Sequence, residues 1–544
     1  MCGIWAYIIK NKLDNNYDEI FSNFSNLIGR GPDSVSFQYF KNKYYLGFSR
    51  LSIIDLTPKG NQPFVYYYDD LRYTCICNGE IYNAEDIKNS VLSGYKFNSS
   101  SDCEVLIPLY LKYKESMFEY LDGVFSFIII VENNDNDNIE YFIARDRIGV
   151  RPLYIGHDNN ENILFSSELK GIHQLCDRAE QFKPGYFMKI NKKQTLYNQY
   201  YEIPMSTNYI YNIENDNLLA LIRNTFINCV KKRLISERPV CALLSGGLDS
   251  SLVCSIASKI LKEKGLQLYT FSIGIPGSPD NKYAEIVAKH IGSKHTTINI
   301  TEDQALESLN DVIWSVETFD ITTIRASTGQ YLVSKYIAEN TDFKVVLSGD
   351  GSDEVTSGYL ENFNAKNEMD VHNNVIDRIK NIHFFDVQRA DRATSIHGLE
   401  LRVPFLDVSF INIYLNIDIK LRQPILRQRC EKYLLRKAFK DNYLPDEILW
   451  RKKEAFSDGI STAENSWYKI IQNKCENLYN DGNYNKLKKK YKNHEPISKE
   501  SLYFRKKYED LYTSNFDNII PYFWMPKWSN TNDPSARTLQ IYNN

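Results

Sequence analysis

Short runs of alternating or near-continuous apolar residues, broken by Gly, Asp and Asn, fill the chain up to residue 200 and predict strands. The candidates are Gly3–Ile9, Tyr44–Phe48, Tyr73–Cys77, Phe125–Val131 and Ile139–Ala144. Glu104–Leu121 differs: Val105, Leu109 and Tyr113 recur at helical spacing, with Leu106 beside them. Glu132–Asn138 can bury nothing and reads as a hairpin loop, and Phe182–Gly185 reads as a turn before a last strand. Tyr201–Asn217 is irregular and polar, as a linker would be. From Leu218 the pattern becomes helix–strand–helix. Leu218–Leu234 is amphipathic, Pro239–Leu244 is a short apolar strand, Ser245–Ser251 a Gly-rich turn, and an apolar helix follows to Leu261. Leu266–Ile273 and Phe343–Leu347 are further buried strands, Glu361–Ile376 reads as a loop, and Lys486–Lys492 as a solvated helix face. Short apolar strands alternating with helices predict a parallel, doubly wound sheet. The expected organisation is a domain at 1–200, a linker at 201–217, a second domain at 218–520 and a tail at 521–544.

Composition narrows the function classes. Lys and Arg (65) nearly balance Asp and Glu (68), for a net charge of −3, which argues against a nucleic-acid surface or a polybasic membrane patch. No apolar run approaches the ~18 residues of a membrane helix. The N-terminus has neither the basic region nor the apolar core of a secretory signal. The ten cysteines form no CxxC, and Cys75 and Cys77 sit at alternating strand positions. Free thiols in a reducing, cytoplasmic compartment are expected. The eight His show no ligand-like spacing.

Three places carry candidate chemistry. Cys2 follows Met1 and precedes Gly3. A small residue at position 2 normally licenses removal of the initiator Met, leaving a thiol and a free α-amine on one residue. The amine titrates near the thiol and can act as its general base. Alone, a cysteine at position 2 is most often an inert thiol. Ser245-Gly246-Gly247-Leu248-Asp249-Ser250 lies between an apolar strand and a helix. Its backbone N–H groups, hydroxyls and helix N-terminus suit an anion, and it lacks the lysine of a Walker A loop. Ser348-Gly349-Asp350-Gly351-Ser352-Asp353-Glu354 is a second strand-end turn. Its crowded carboxylates call for a cation, with Mg²⁺ beside phosphate as the natural one. In the N-terminal region, Asn78 and Gly79 could form a two-donor oxyanion hole for attack by Cys2 on a carboxamide. Arg50 and Asp102, at element ends, could clamp the carboxylate and amine of an amino acid.

The Ser245–Ser250 loop resembles the pyrophosphate loop of ATP pyrophosphatases. Cys2-Gly3-Ile4, Arg30–Asp33, Arg50-Leu51, Cys77–Asn83 and Ala144–Leu153 resemble class II glutamine amidotransferase domains. Glu317–Arg325, the acidic turn, His397–Asp407 and Trp450–Gly459 resemble glutamine-hydrolysing asparagine synthetases, and the tail Trp524–Leu539 is similar to their animal-type members. The resemblance implies an N-terminal-nucleophile αββα sandwich at 1–200 and an ATP-pyrophosphatase domain at 218–520. It implies that Cys2 attacks glutamine, that Arg50 binds the glutamine carboxylate, that Glu80 and Asp102 bind its amino group, and that Asn78 and Gly79 hold the oxyanion. Ammonia then crosses an internal tunnel. Ser245, Gly246, Gly247, Ser250 and Ser348 would hold ATP and pyrophosphate, with Asp249 and Asp353 on Mg²⁺. Leu243, Ile273 and Gly349 would line the adenosine pocket and Lys453 would steady the phosphates. Thr322, Thr323 and Arg325 match the stretch associated with aspartate, and a guanidinium can grip a carboxylate with two hydrogen bonds.

One position departs from the family, which usually has Glu where this chain has Asp350. The carboxylate retreats by roughly 1.5 Å, a misplacement that can cost ~100-fold in rate. Asp350 is nonetheless expected to serve the second half-reaction, with a local backbone shift offsetting the lost methylene. The reading is a cytoplasmic two-domain ligase with ATP and Mg²⁺, acting on glutamine and aspartate, with no nucleic acid or membrane partner and with a homodimer admitted. Two alternatives remain: a related amide- or lactam-forming synthetase, against which the intact Cys2, Arg50, Asn78, Gly79 and Asp102 argue, and a catalytically lapsed structural homologue.

Overall fold

The alternation in the first part of the chain resolves into two antiparallel sheets. A computed structural model describes residues 1–133, 138–205, 207–423, 429–453, 461–462, 464–512 and 514–539. It divides into two units: Met1–Glu202 with Ile235–Arg238 and Ser395–Glu400, and Ile203–Leu234 with Pro239–Thr394 and Leu401–Asn544.

The first unit contains β1 (Gly3–Ile8), β2 (Ser34–Phe40), β3 (Tyr44–Arg50), β4 (Phe64–Tyr68), β5 (Leu71–Ile81), β6 (Gly123–Asn133), β7 (Ile139–Arg145), β8 (Tyr154–His157), β9 (Ile163–Ser166), β10 (Arg178–Gln181), β11 (Tyr186–Ile190) and β12 (Thr195–Gln199). One sheet runs β10-β8-β9-β1-β3-β2 and the other β12-β11-β7-β6-β5-β4. Period-two patterning explains how they meet. Ile4, Ala6 and Ile8 of β1 face Ile76, Ile128, Ile130 and Ile143 of the second sheet in one core. Trp5 and Tyr7 point the other way. There the helix Tyr17–Ser25 brings Phe24 to 6.2 Å from Trp5 and 5.1 Å from Phe37, ring centre to ring centre. The far face of the second sheet, with Cys75, Cys77, Phe125, Phe127 and Phe142, is covered by Leu106, Leu109 and Tyr110 of the helix Leu106–Tyr113. The layers are therefore αββα.

The second unit holds β13 (Val240–Leu243), β14 (Tyr269–Gly274), β15 (Lys294–Asn299), β16 (Val345–Leu347) and β17 (Glu400–Arg402), in the order β15-β14-β13-β16-β17. β13 is parallel to both β14 and β16, and β14 to β15. The chain starts this sheet in the middle, winds outward to β15, then returns to the other side of β13. Strand order thus reverses between β13 and β16, the place in such sheets where ligands bind. Helices Asp216–Lys232, Leu248–Glu263, Pro279–Ile291 and Ile321–Asn340 connect and cover it. Among the described residues no helix is long and apolar enough to cross a membrane.

Three expectations need correction. The single helix over Glu104–Leu121 is instead a 3₁₀ turn Asp102–Val105, the helix Leu106–Tyr113 and a 3₁₀ turn Lys114–Glu119. Lys114, with φ +48, breaks the ladder, and Glu104 is already accepting the amides of Asn98 and Ser99, each at 2.8 Å. The loop expected over Glu361–Ile376 contains the start of a helix, Glu368–Asn381, capped by Asn367 and burying Val371, Val375 and Ile379 along one stripe. The solvated helix face expected at Lys486–Lys492 lies on a helix that ends at Lys488 and buries no residue. Of the hairpin loop at Glu132–Asn138, residues 134–137 lie outside the described residues, as do residues 454–459 of the Trp450–Gly459 motif.

Trp5 is fully buried and donates its indole N–H to the Gly171 carbonyl at 2.7 Å. Trp5→Ala should lower the stability of this unit by about 3–5 kcal/mol, the usual loss for a large core aromatic. Denaturant unfolding followed by circular dichroism checks this; a loss under ~1 kcal/mol would show that the outer layer repacks.

Candidate active site

In the first unit, Cys2 enters β1 with its thiol 3.8 Å from the Leu51 carbonyl, and its own carbonyl accepts from Arg30 Nε at 2.9 Å. Arg30 is locked in turn by Glu168 at 2.5 Å and Ser395 at 2.8 Å. With Met1 attached, burial pushes the Cys2 thiol up to about 11 and the Met1 amine down to about 5. In that state the sulfur is protonated and unreactive at neutral pH. Cys77 is near enough to influence the Cys2 thiol. The next residue, Asn78, is 1% exposed, and neither its side-chain nitrogen nor its oxygen has a hydrogen-bond partner among the described residues. An unpaired buried amide costs ~1–3 kcal/mol, which a ligand oxygen and donor would recover. Gln62 fixes the strand here, accepting from Cys77 N at 2.6 Å and donating to Cys77 O at 3.2 Å. Gly79 is required for packing: a Cβ there would stand 2.4 Å from Val124 O.

Asp102 reaches back to the same strand end, accepting from Ile81 N at 2.6 Å beside the buried Glu80. Burial raises its pKa, against the pull of that amide. Arg50 is differently employed than its sequence position suggests. Its terminal nitrogens donate to Thr57 O (2.9 Å), Asn61 Oδ1 (2.7 Å) and the Asp55 carbonyl, so the guanidinium organises the loop at residues 54–61. Gly60 makes this possible, since a Cβ would lie 2.2 Å from Arg50 Nη2.

In the second unit a cavity of about 220 Å³ opens at the switch point. Leu243, Ser245, Gly247, Asp249, Ser250, Ile273, Ser348, Gly349, Asp350, Asp353, Lys453 and Thr322 all line it. Gly246 stays behind the loop: its φ is +72, and a Cβ would meet Ala284 N at 2.5 Å, where the helix Pro279–Ile291 packs. Ser245 Oγ and Ser250 Oγ lie 3.0 Å apart. Gly247 caps the helix Leu248–Glu263 without any side-chain cap, leaving the first-turn amides to an incoming anion. Gly349 lets the acidic turn abut that first turn, because a Cβ would meet Ser250 N at 2.6 Å. Ser352 Oγ then donates to Asp249 Oδ1 at 2.7 Å.

The acidic turn is charge-compensated from within. Lys432 Nζ lies 2.6 Å from Asp249 Oδ2 and 2.6 Å from Asp353 Oδ1, and Lys453 binds the other Asp353 oxygen. Burial raises the Asp353 pKa, but the two lysines outweigh it and hold the carboxyl well below the usual carboxylate range. Asp350 accepts from Arg389 at 2.7 Å and from Ser348 Oγ at 2.5 Å. Arg389 also reaches Asp386 at 2.9 Å and Gln330 at 2.8 Å. Burial, with Asp386 and Asp353 nearby, pushes the Glu354 pKa well above the usual carboxylate range, and Glu354 accepts from Tyr359 OH. Asp249 and Asp353 converge on one cation with hard oxygen donors, and so fit Mg²⁺ held by two carboxylates plus phosphate. No larger group of ligating side chains gathers among the described residues.

The cavity divides the aspartate stretch. Thr322, Ala326, Gln330 and Val333 form the stripe of the helix Ile321–Asn340 that faces the cavity. Thr323 and Arg325 are off it. Thr323 Oγ1 bonds Asp320 Oδ2 at 2.8 Å at the helix N-cap. Arg325 is 2% exposed and gives both edges of its fork to carboxylates, Glu500 at 2.8 and 2.5 Å and Asp533 at 2.9 and 2.8 Å. It is a structural clasp, with four of its five N–H groups given to the two carboxylates. Sequence reasoning missed Arg389, Asp386 and Lys432. Asp386 and Arg389 stand at i,i+3 on the helix Asp386–Ser395, a weak local signal. Lys432 has none.

A four-layer αββα unit joined in one chain to a parallel-sheet unit with an anion-friendly loop is the architecture of a glutamine-dependent amidotransferase. The family model of the glutamine amidotransferase domain matches residues 1–218, and that of asparagine synthase matches residues 221–373 and 364–529. A glutamine-hydrolysing asparagine synthetase of Gallus gallus is 38% identical over 575 residues, covering 100% of this chain and 99% of its own. That of Homo sapiens is 39% identical over 576 residues, with the same coverage. A probable one of Acanthamoeba polyphaga mimivirus is 38% identical over 570 residues, covering 99% of this chain and all of its own. The chain belongs to the family of glutamine-hydrolysing asparagine synthetases.

Arg325→Ala should destabilise the second unit by about 3–5 kcal/mol, because it leaves Glu500 buried beside Asp533 with no cation. Arg325→Lys should lower the melting temperature while leaving the ratio of the aspartate and ATP Michaelis constants near the parent value. A selective rise in the aspartate constant would return Arg325 to the substrate site.

Proposed function

We propose that the chain makes asparagine from aspartate with ammonia taken from glutamine, at the expense of ATP, giving glutamate, AMP and pyrophosphate. The observation that carries this reading is the cavity where the Ser245–Ser250 loop, the acidic turn and the Thr322 stripe converge, in a chain related to these enzymes along its full length. Residues 1–200 act as the glutaminase domain, 201–217 as a linker, 218–520 as the synthetase domain and 521–544 as its tail. A reducing, cytoplasmic setting suits the free cysteines, and a homodimer is the assembly to test by light scattering.

Removal of Met1 frees the Cys2 α-amine to take the thiol proton, and the sulfur attacks the glutamine carboxamide. The Asn78 side-chain amide and Gly79 N–H stabilise the developing oxyanion. Asp102 and Glu80 take the glutamine ammonium. Arg50, with the loop it anchors, takes the carboxylate. Ammonia leaves, and water releases glutamate from the sulfur.

In the second unit the aspartate side-chain carboxylate attacks the α-phosphorus of ATP and pyrophosphate departs. Ser245, Gly247, Ser250 and Ser348 cradle the polyphosphate on a loop that Gly246 turns from behind, Leu243, Ile273 and Gly349 bound the adenosine, and Lys453 neutralises phosphate charge. Mg²⁺, held by Asp249 and Asp353, would supply further charge neutralisation on the polyphosphate. The aspartate α-carboxylate goes to Arg389, a cavity-lining guanidinium that bonds Gln330 of the same helix stripe as Thr322 at 2.8 Å. Ammonia attacks the acyl-adenylate. Asp350, fixed by Arg389 and Ser348, accepts the proton that the new C–N bond sheds, and AMP leaves.

Cys2→Ala should abolish asparagine formation from glutamine and spare formation from added ammonium, measured as asparagine and pyrophosphate. Glutaminase surviving in that variant would overturn the nucleophile. Arg389→Lys should raise the aspartate Michaelis constant ~10-fold or more over that for ATP, because the planar fork is lost while the charge stays. An unchanged ratio would take Arg389 out of the aspartate subsite.

A further inference from the structure

Lys432 is a buried charge that the reaction scheme above does not use. It is 2% exposed, sits at the N-cap of the helix Tyr433–Ala438 with φ +57, and directs its ammonium at Asp249 (2.7 and 2.6 Å) and Asp353 (2.6 Å). A left-handed conformation at a non-glycine residue is uncommon, so the surroundings hold it there. Gly358 makes the room: a Cβ at that position would stand 2.0 Å from Lys432 Cε and 2.1 Å from Asp353 Oδ1. Glycine and lysine together place a monovalent cation between the two carboxylates.

The charges decide what this means. Asp249 and Asp353 face Lys432 and Lys453, two negative groups against two positive ones, so the half-buried cluster is formally neutral. A divalent cation added by itself must either displace Lys432 from both carboxylates or leave a net charge of +2 in a half-buried place. Both cost free energy. A divalent cation arriving with polyphosphate brings its own counter-charge. We propose that Lys432 is an internal competitor of Mg²⁺: it keeps Asp249 and Asp353 converged and neutral in the free protein, and it withholds tight cation binding until a polyphosphate is present. The proposal rests on the reading of Asp249 and Asp353 as the cation ligands. Lys432 is a positioning residue here and touches no reacting atom.

The test uses the full chain and Mn²⁺, whose binding is read from its electron-spin resonance signal, with and without inorganic pyrophosphate. The parent should bind Mn²⁺ weakly alone and much more tightly with pyrophosphate. Lys432→Gln, which keeps hydrogen bonding and removes the charge, should bind Mn²⁺ alone about 10-fold more tightly or better, and gain less from pyrophosphate. Gly358→Ala should move in the same direction, since its methyl group expels Lys432 from its place. If Lys432→Gln folds poorly, Mn²⁺ should raise its melting temperature more steeply than the parent's. Lys432→Gln binding Mn²⁺ alone no better than the parent, while pyrophosphate still enhances both, overturns the competition and leaves the metal assignment standing. Failure of every protein to bind Mn²⁺ with pyrophosphate sinks the metal assignment and this proposal with it.

Discussion

The second unit is organised by one close approach. Gly349, just past β16, lies against the backbone of Asp249 and Ser250 in the first turn of the helix that follows β13, where a single methyl group would overlap the Ser250 amide. Adjacent parallel strands always bring their C-terminal ends together, but most side chains would hold the following turns apart. The absent side chain lets two turns with opposite chemistry merge: amides and hydroxyls from one, carboxylates from the other. Ser352 then reaches Asp249 across the seam. An anion cradle and a cation site become one cavity.

The first unit shows polar side chains acting as backbone. Asp146 accepts from the amides of Gly149 (2.7 Å), Val150 (3.0 Å) and Arg151 (2.8 Å), while Arg145 binds the carbonyls of Gly149 (2.9 Å) and Arg151 (2.8 Å). Gln62 extends β4 past its last ladder pair, and Arg50 folds its own loop. Beside these paired groups, the bare amide of Asn78 stands out, with both its nitrogen and its oxygen unbonded among the described residues. The surrounding network holds it rigid without consuming it, which is what preorganised stabilisation of a developing charge requires.

Much of this was legible from local pattern. The long strands β5, β6 and β7 carry enough alternation to announce themselves. β8 and β9 are four residues each, too short for a period to show. The two Gly-rich turns could be read because an anion site must be built from consecutive backbone groups. Arg325 misled because its partners, Glu500 and Asp533, are 175 and 208 positions away, so nothing nearby marks the guanidinium as already taken. Lys432 was invisible for the same reason, being 183 positions from Asp249. Asp407 illustrates the converse. It belongs to a stretch that carries the family resemblance, yet it caps the helix Val408–Leu415 and binds Arg233 and Lys232, each at 2.7 Å. A shared motif can mark a buried lock as readily as a substrate contact.

The segment holding Trp524, Pro526, Pro534 and Leu539 forms part of the cavity wall, and Asp533 within it completes the pairing of Arg325. On a translating ribosome this stretch emerges after every other part of the cavity. The strands and the anion loop can assemble first, but nucleotide cannot find a closed pocket, and Arg325 lacks its second carboxylate, until synthesis has passed this point. A message cut short here would leave a chain with its thiol end intact and its ligase pocket missing a wall. Such a product could release ammonia without using it. The order of synthesis thus delays the ATP-consuming half of the protein until this segment has been made.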